Sequence, residues 1–266
     1  MTHKETPTSQ PFDLSMGRRK AFKLTATALT LAVVTAFGAL SVTAKENPTQ
    51  KEKTMTHKAY VYTELQISVP FENVPWQKIN AGIKKHPGFI NKTWLAGVGN
   101  NSAGGFYVFD SIENAQKFVT DYFPAEARGF GVAQTTRVFE ANATEEASRD
   151  MNSMHWDGKI SGKPGAFVYT EVQLRAVPFN EAAPWRNRNP TLKKQPGLMA
   201  KTWLSGLHTG TPGGLYAFDT LENAKKFAVD YFPTEAKALN AAFYTRVFDA
   251  NVTEAASRDM NSPFYH

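Results

Sequence analysis

The chain contains no cysteine among its 266 residues. Disulfide bonds, thiolate nucleophiles and thiolate metal ligands are therefore excluded. Histidine is scarce as well: there are six, none in a His-x-x-x-His pair, and neither His86 nor His208 has a histidine at the equivalent position of the internal repeat. Because a metal site needs several converging ligands, we predict that the protein binds no metal.

Clusters of charge of one sign are also missing. The formal net charge is +6, but residues 1–44 contribute about half of it, and the charges of the remainder are mixed in sign. A nucleic-acid surface needs clustered Lys and Arg with accessible aromatic side chains. We therefore predict that the protein binds no nucleic acid. The composition, 42% hydrophobic and 20% charged, is that of a globular protein.

Long hydrophobic runs are absent except near the N-terminus. Leu24 to Leu40 form an apolar run after Arg18-Arg19-Lys20, and Val42-Thr43-Ala44 offers small residues for cleavage. The run is short for a spanning helix, which needs ~20 apolar residues, and its order is that of an export signal. Residues 1–44 are therefore predicted to be a cleaved signal peptide, so the mature protein keeps no stable membrane anchor.

The predicted signal leads to a periplasmic or secreted location. Arg18-Arg19 resembles the start of a twin-arginine signal, but Phe22 lies one position later than in the usual pattern. The Sec and twin-arginine routes therefore both stay open. Residues 45–58 have no apolar period and are predicted to form a flexible linker.

An internal repeat organises the rest of the chain. Trp76 to Asn152 align with Trp185 to Asn261 at a constant offset without a gap, and about half of the positions are identical. The repeat is far longer than a solenoid unit, and ~100 residues are enough to bury a core. We predict two domains, residues 59–152 and 166–266, joined by a linker at 153–165 that is rich in Gly, Ser, Lys and Pro.

Each repeat has the periodicity of a βαββαβ unit. In the first repeat a strand that alternates with period two starts at Ala59, and His86-Pro87-Gly88 ends the first helix. The second helix is predicted to end at Pro124. The other three strands are predicted near Phe89–Ala96, Gly105–Phe109 and Ala133–Ala141. This order is that of the ferredoxin-like split unit. In the second repeat Pro190 is predicted to shorten or displace the first helix.

The first strand has two different faces. Val61, Leu65 and Ile67 are aliphatic and are predicted to pack against the helices, which leaves Tyr62 and Glu64 on the other face. Two such sheets cover these bare faces if they pack together or close into a barrel. We therefore predict an α+β protein in which two tandem ferredoxin-like repeats pair with each other within the chain, as an intramolecular dimeric α/β-barrel.

Two identical segments follow the last strand of each repeat. They are Ser148-Arg149-Asp150-Met151-Asn152 and Ser257-Arg258-Asp259-Met260-Asn261. Each is predicted to form an arm that clasps the other half of the molecule.

Three motifs that occur in both repeats carry a family resemblance. In the second repeat they are Pro196-Gly197-Leu198-Met199-Ala200-Lys201-Thr202-Trp203, Gly213-Gly214-Leu215-Tyr216-Ala217-Phe218 and Arg246-Val247-Phe248-Asp249-Ala250-Asn251; in the first they are Pro87-Gly88-Phe89, Lys92-Thr93-Trp94, Gly104-Gly105-Phe106-Tyr107 and Arg137-Val138-Phe139-Glu140-Ala141-Asn142. They resemble those of the YdhR-type putative mono-oxygenases of the dimeric α/β-barrel superfamily. The resemblance implies a mono-oxygenase that needs no cofactor and acts on small aromatic or quinol-type compounds.

Ten residues on predicted strands are the candidates for such a site. The catalytic candidates are Glu64, Arg137, Glu171 and Arg246, and the substrate-binding candidates are Tyr62, Trp94, Tyr107, Tyr169, Trp203 and Tyr216. In the implied reaction Glu64 or Glu171 removes a phenolic proton. Arg137 or Arg246 stabilises the phenolate, and Trp94 or Trp203 forms an aromatic wall for the small apolar ligand.

Other interpretations of the same residues stay open. The first and fourth strands are neighbours in a ferredoxin-like sheet, so Glu64 with Arg137 and Glu171 with Arg246 are candidates for structural ion pairs. Trp94 and Trp203 are candidates for core anchors, and the Gly-Gly pairs for turn residues. The alternative function is a non-catalytic periplasmic binding or stress-related module for small apolar ligands. A cavity beside the Glu and Arg side chains favours an enzyme or binder, whereas a filled interior favours structural pairs.

Overall fold

The structure is a computed structural model that describes residues 57–174 and 178–265. The predicted signal peptide, residues 1–44, and all but the end of the predicted linker, residues 45–58, lie outside the described residues. No helix within the described ranges is long and apolar enough to cross a membrane.

The first half, residues 59–152, has the βαββαβ order that its periodicity predicts. Its elements are β1 Ala59–Leu65, α1 Trp76–Ile83, β2 Phe89–Gly97, β3 Ala103–Phe109, α2 Ile112–Lys117, α3 Phe123–Phe130, β4 Gln134–Glu140 and α4 Glu145–Asp150. A π-helical turn, Phe118–Tyr122, joins α2 to α3. The prediction that this helix ends at Pro124 is wrong. Pro124 lies in the first turn of α3, directly after the π-helical turn, and the helical path continues through it.

The second half, residues 166–265, repeats this order. Its elements are β5 Ala166–Gln173, α5 Phe179–Ala182, α6 Trp185–Leu192, β6 Leu198–Ser205, β7 Pro212–Phe218, α7 Leu221–Lys226, α8 Phe232–Ala238, β8 Ala242–Asp249 and α9 Glu254–Asp259, with a π-helical turn at Phe227–Tyr231.

The prediction that Pro190 shortens this half's first helix is wrong. Helix α6 contains Pro190 and has eight residues, as many as α1. Its neighbour Asn189 is buried and donates side-chain hydrogen bonds to Ala147 O (3.1 Å) and Asp150 Oδ2 (2.8 Å), and Leu192 is buried in the core. These tertiary contacts hold the helix despite the backbone hydrogen bond that proline removes.

All eight strands belong to one sheet with the order β4-β1-β3-β2-β8-β5-β7-β6, and all neighbours are antiparallel. The order within the first half, β4-β1-β3-β2, is that of a ferredoxin-like sheet, and the second half repeats it. Because the helices follow the same βαββαβ order, the fold is α+β and ferredoxin-like.

The two outer strands of this sheet also meet. Phe139 on β4 forms a bridge with Gly206 after β6, and the amide of Leu207 donates to Val138 O at 2.9 Å. The equivalent contact lies between β2 and β8, where the Val98 amide donates to Val247 O at 3.0 Å. The eight strands therefore follow one another around a ring, with an inner face and an outer face.

Aromatic and aliphatic side chains from both halves fill the inside of the ring. The cluster includes Tyr60, Tyr62, Phe106, Phe167, Tyr169 and Leu215. The helices cover the outer face, where Val61 belongs to the core of the first half, as the alternation of β1 predicts.

Each arm lies against the opposite half. Ser257 Oγ, on α9, accepts a hydrogen bond from the Trp94 amide of β2 at 2.9 Å. Ser148 Oγ, on α4, accepts the equivalent bond from the Trp203 amide of β6, also at 2.9 Å. Met260 is buried in the core of the first half as a result. Identical arm sequences thus make matching contacts.

Candidate active site

The ten candidate residues divide between the two faces of the sheet. Tyr62 and Tyr169 belong to the cluster inside the ring. Trp94 and Tyr107 belong to the helix-side core of the first half, and Trp203 and Tyr216 to that of the second. Because successive strand residues point to opposite faces, the carboxylates beside the tyrosines and the tryptophans cannot line one ligand site.

Two tyrosines fill the middle of the ring. The rings of Tyr62 and Tyr169 are stacked with centroids 3.8 Å apart and planes 4° apart, and both residues are fully buried. Tyr62 Oη donates a hydrogen bond to Glu64 Oε2 at 2.8 Å, and Tyr169 Oη donates to Glu171 Oε1. The interior beside these carboxylates is therefore occupied by protein side chains.

The ion pairs of this region join one half to the other. Arg246 binds Glu64, with its Nε 3.2 Å from each carboxylate oxygen, and Arg137 Nε lies 3.0 Å from Glu171 Oε1. The predicted pairs within each repeat are therefore wrong. In the register of β1 with β4, Arg137 lies opposite Tyr62 and Glu64 lies opposite Thr135. The tyrosine stack then brings the carboxylate of the other half within reach of each arginine.

Glu64 has a strongly shifted titration. Burial by itself raises the pKa of its carboxyl group. Hydrogen bonds from Arg246, Ser102 and Tyr62 have the opposite and larger combined effect, and the resulting pKa is about 2. Tyr244 Oη donates to the same carboxylate at 3.1 Å. A carboxylate with so low a pKa is a weak proton acceptor near neutral pH. The geometry therefore favours a structural role for Glu64, and the catalytic roles of the four Glu and Arg candidates stay predictions.

Trp94 and Tyr107 line a cavity of about 220 Å3 between the sheet and the helices of the first half, here called the first-half cavity. Most of its lining is apolar, and Ile79 contributes from α1. Its polar members include Lys92, Tyr122 and Glu126. Such a mainly apolar space with a few polar groups is the usual form of a small-molecule site.

Lys92 is the residue of this site that sequence analysis missed. Its side chain is 1% exposed, and Nζ lies 2.8 Å from the centroid of the Trp94 indole and 4.9 Å from that of Tyr107. Burial lowers the pKa of the amine well below its usual range, opposed in part by the charge of Glu126. The sequence contains one signal for a buried lysine: Lys92 lies two residues before Trp94, and residues two apart in a strand point to the same face.

Gly105 makes room for this lysine. A Cβ atom at Gly105 would lie 2.4 Å from Lys92 Cε, closer than real Cβ contacts. Gly104 lies equally close to the next strand, because a Cβ atom there would be 1.9 Å from Thr63 O. Both glycines lie within β3, so the prediction that they are turn residues is wrong. They allow close approach of a side chain and of a backbone.

The second half has an equivalent lysine and tryptophan but a much smaller cavity. Lys201 Nζ lies 2.7 Å from the Trp203 ring centroid, and the cavity beside it, here called the second-half cavity, measures about 60 Å3. Arg188 occupies the position that Ile79 has in the first half, and its guanidinium forms an ion pair with Glu235. This pair occupies the space that stays open beside Lys92.

The described residues offer no ready metal or haem ligands. No group of three His, Asp or Glu side chains among them is arranged to hold a metal ion. His155 is partly buried, and its desolvation lowers its pKa to about 3. His208 lies in the loop between β6 and β7, and no histidine is among the lining residues of the first-half cavity.

Comparisons with known proteins agree with the sequence resemblance. Residues 65–150 match the family model described as "Putative mono-oxygenase ydhR", which confirms the resemblance for the first half. No curated protein matches the chain.

The solved structures that match this chain have low identity and TM-scores below 0.5. A putative monooxygenase from Lactobacillus acidophilus NCFM is 8% identical with a TM-score of 0.42, over 72% of this chain and 93% of that chain. A putative monooxygenase from Fusobacterium nucleatum is 8% identical with a TM-score of 0.44, over 73% and 92%. An anthrone oxidase-like protein is 15% identical with a TM-score of 0.45, over 73% and 91%.

Proposed function

We propose that this chain, whose residues 65–150 match the family model described as "Putative mono-oxygenase ydhR", oxidises a small aromatic or quinol-type compound in the first-half cavity without an added cofactor. The observation that carries this proposal is the buried amine of Lys92, which lies against two aromatic rings in a mainly apolar cavity. Lys92, and not Glu64, is the general base, because the carboxylate of Glu64 is already fully paired.

The chemistry follows from these groups. Desolvation favours the neutral form of a lysine side chain, and a neutral amine accepts the proton of a phenol. Trp94 and Tyr107 hold the planar ring, and the apolar lining excludes water. The phenolate transfers electrons to dioxygen; one oxygen atom forms a bond to a ring carbon, and the other leaves as water. A phenol and dioxygen thus give a quinone and water, so the reaction consumes no external reductant.

The two halves contribute unequally to this activity. The first-half cavity has room for a ligand, whereas Arg188 and Glu235 occupy the equivalent space beside Lys201. The first half therefore carries the reaction, and the second half completes the ring and clasps the first half with its arm.

The test is oxygen uptake by the purified protein with a panel of substituted hydroquinones and naphthols, with a metal chelator and no added cofactor. We expect Lys92→Met to lower turnover by about 100-fold or more, because removal of a general base has effects of that size. Ile79→Arg, which introduces the side chain of the second half into the first-half cavity, is expected to abolish turnover as well.

The matched control is Lys201→Met, which removes the equivalent amine and is expected to leave turnover unchanged. Equal losses in Lys92→Met and Lys201→Met, with folding retained in both, would contradict the proposal. The apolar lining of the cavity also favours a second function, the non-catalytic binding of a small apolar ligand. Thermal stabilisation by the same compounds without oxygen uptake would identify the protein as a binding module.

We also propose that the two halves are tandem copies that pair as an intramolecular dimeric α/β-barrel. The shared strand order, the matching arm contacts and the crossed Glu-Arg pairs support this arrangement. A double-mutant cycle between Glu64 and Arg246 measures whether the halves pair in this way in solution. Export to the periplasm stays a proposal from residues 1–44, tested by sequencing the N-terminus of the mature protein, which is expected at Lys45.

A further inference from the structure

The amine of Lys92 has an environment that differs from that of an ordinary buried lysine. Charged lysines are rarely buried unless an acidic group pairs with them. Lys92 is 1% exposed, and its Nζ lies over the rings of Trp94 and Tyr107. Burial lowers its pKa well below the usual range. A neutral amine is a base and also a nucleophile, and desolvation is one of the ways in which proteins activate a lysine towards carbonyl compounds.

The first-half cavity has room for a small carbonyl compound beside this amine. A cavity of about 150 Å3 lined by apolar side chains is sufficient to hold benzene. At about 220 Å3, the first-half cavity has space for a benzene ring that bears a carbonyl group. The apolar lining also favours imine formation, since that reaction releases water and the lining excludes it.

The same cavity contains groups that can move the protons of the reaction. Glu126 lines the cavity together with Tyr122 and Lys92. Burial, and in second place the Glu126 carboxylate, raise the pKa of Tyr122 to about 12. A carboxyl group near the amine is the usual proton carrier for the loss of hydroxide from a carbinolamine.

The second half provides an internal comparison. Lys201 is equally buried against Trp203 and Tyr216. Its cavity, however, measures about 60 Å3, and the carboxylate equivalent to Glu126, that of Glu235, is bound by Arg188. Lys201 therefore lacks the space that Lys92 has, and the carboxylate beside it is held in an ion pair with Arg188.

We propose that the first-half cavity captures small aromatic aldehydes covalently, through an imine between Lys92 Nζ and the carbonyl carbon. The nitrogen lone pair forms the C–N bond, and the Glu126 carboxylate carries one amine proton to the carbonyl oxygen to give a carbinolamine. Glu126 then carries the second amine proton to the hydroxyl group, which leaves as water as the C=N bond forms. One water molecule leaves, and neither partner is oxidised or reduced.

This activity shares the cavity with the proposed oxygenase but does not depend on it. Imine formation uses no dioxygen and is measured without turnover. Labelling of Lys92 in a protein that consumes no oxygen would support the aldehyde capture and reject the oxygenase. Oxygen uptake without labelling of Lys92 would support the oxygenase and reject the capture.

The test is anaerobic incubation of the purified protein with benzaldehyde and cyanoborohydride at pH 7.5, followed by peptide mapping. Cyanoborohydride converts the imine into a stable secondary amine. An exposed lysine with a pKa of about 10.4 is neutral in roughly one molecule in a thousand at this pH. We therefore expect Lys92 to be labelled about 100-fold faster than the exposed lysines Lys78 and Lys85, with saturation at one equivalent per chain.

Three variants make the test specific. Lys92→Met is expected to remove the fast phase, and Lys201→Met to leave it unchanged. Ile79→Arg keeps the amine but fills the cavity, so it is expected to slow labelling of Lys92 to the rate of the exposed lysines even if Lys92→Met does not fold. Labelling of Lys92 at the rate of Lys78 in the native protein, or fast labelling that persists in Ile79→Arg, would overturn the proposal.

Discussion

Arg246, on the last strand of the second half, binds the carboxylate of Glu64, on the first strand of the first half. In the equivalent pair, Arg137 of the first half binds Glu171 of the second half. The two pairs differ in exposure: the side chain of Arg246 is 26% exposed and that of Arg137 is 47% exposed. Tyr244 adds a hydrogen bond to Glu64, whereas position 135, its equivalent in the first half, is a threonine. The Arg246 pair is therefore the more deeply embedded of the two.

Replacing Arg246 is expected to destabilise the protein strongly. Arg246→Met leaves the buried carboxylate of Glu64 without its counter-charge, and breaking a buried pair in this way costs about 3–5 kcal/mol. Arg137→Met is expected to cost less, because solvent already screens a half-exposed guanidinium. Urea denaturation of both variants measures the free energies of unfolding.

A double-mutant cycle separates the pair from other effects. Glu64→Leu combined with Arg246→Met removes both charges, and we expect part of the loss to be recovered. The same cycle with Arg137 in place of Arg246 is the control, since Arg137 does not contact Glu64. Additive effects of Glu64→Leu and Arg246→Met would show that the crossed pairing does not exist in solution.

The stability of the protein is expected to fall in acid because of Glu64. Its pKa in the folded state, about 2, lies below the value of 4.5 for a free glutamate. The folded state therefore binds fewer protons than the unfolded state between these values. The resulting stabilisation is fully present above about pH 4.5 and is lost as the pH falls towards 2. Urea midpoints measured from pH 7 to pH 2 follow this change.

Glu64→Gln is the variant that identifies the group responsible. It has no carboxyl group at this position, so its midpoint is expected to change less over the same pH range than that of the native protein. Identical curves for the native protein and Glu64→Gln would contradict the assignment.

A methyl group at Gly105 is expected to disturb Lys92. The Cβ atom of Gly105→Ala would lie 2.4 Å from Lys92 Cε, so the lysine or the strand must move, and overpacking of this kind typically costs 1–3 kcal/mol. The displaced amine is also expected to lose its fast reaction with benzaldehyde. Thermal unfolding and the labelling rate measure the two effects.

Two variants serve as references for Gly105→Ala. Gly129→Ala, in α3, has no atom within 4 Å of the added Cβ and is expected to be neutral or to stabilise by about 0.4–1 kcal/mol. In a chain that already carries Lys92→Ala, the change at Gly105 is expected to cost less, because the nearest contact is gone and the Tyr107 ring, 3.0 Å from the added Cβ, is the tight contact that remains. An unchanged penalty in that background would show that Tyr107 or the backbone, and not Lys92, limits the space.

The order of elements could be predicted because it depends on neighbouring residues. The period-two alternation of β1 placed Val61 towards the helices and Tyr62 away from them, and the structure has both residues there. Helix ends were less predictable. Pro190 and Pro124 were both expected to limit helices, but Pro124 occupies a first turn and the contacts of Asn189 hold α6 together.

The site was predictable only in part. Trp94 and Tyr107 were identified as aromatic walls, and they do line a cavity. Glu64, grouped with them on chemical grounds, lies on the other face of the sheet. Lys92 was missed because nothing in its local sequence reveals that Gly105, on the next strand, leaves space for its side chain.

The sequence by itself determined the βαββαβ order of each half, the two faces of each strand and the family resemblance, because these features follow from periodicity and motifs within short stretches. Tertiary structure alone decided which arginine binds which carboxylate and which half keeps an open cavity. Both depend on residues distant in the chain. Glu64 meets Arg246 only when the halves come together, and the exchange of Ile79 for Arg188 closes a cavity only because Glu235 lies within reach of the guanidinium.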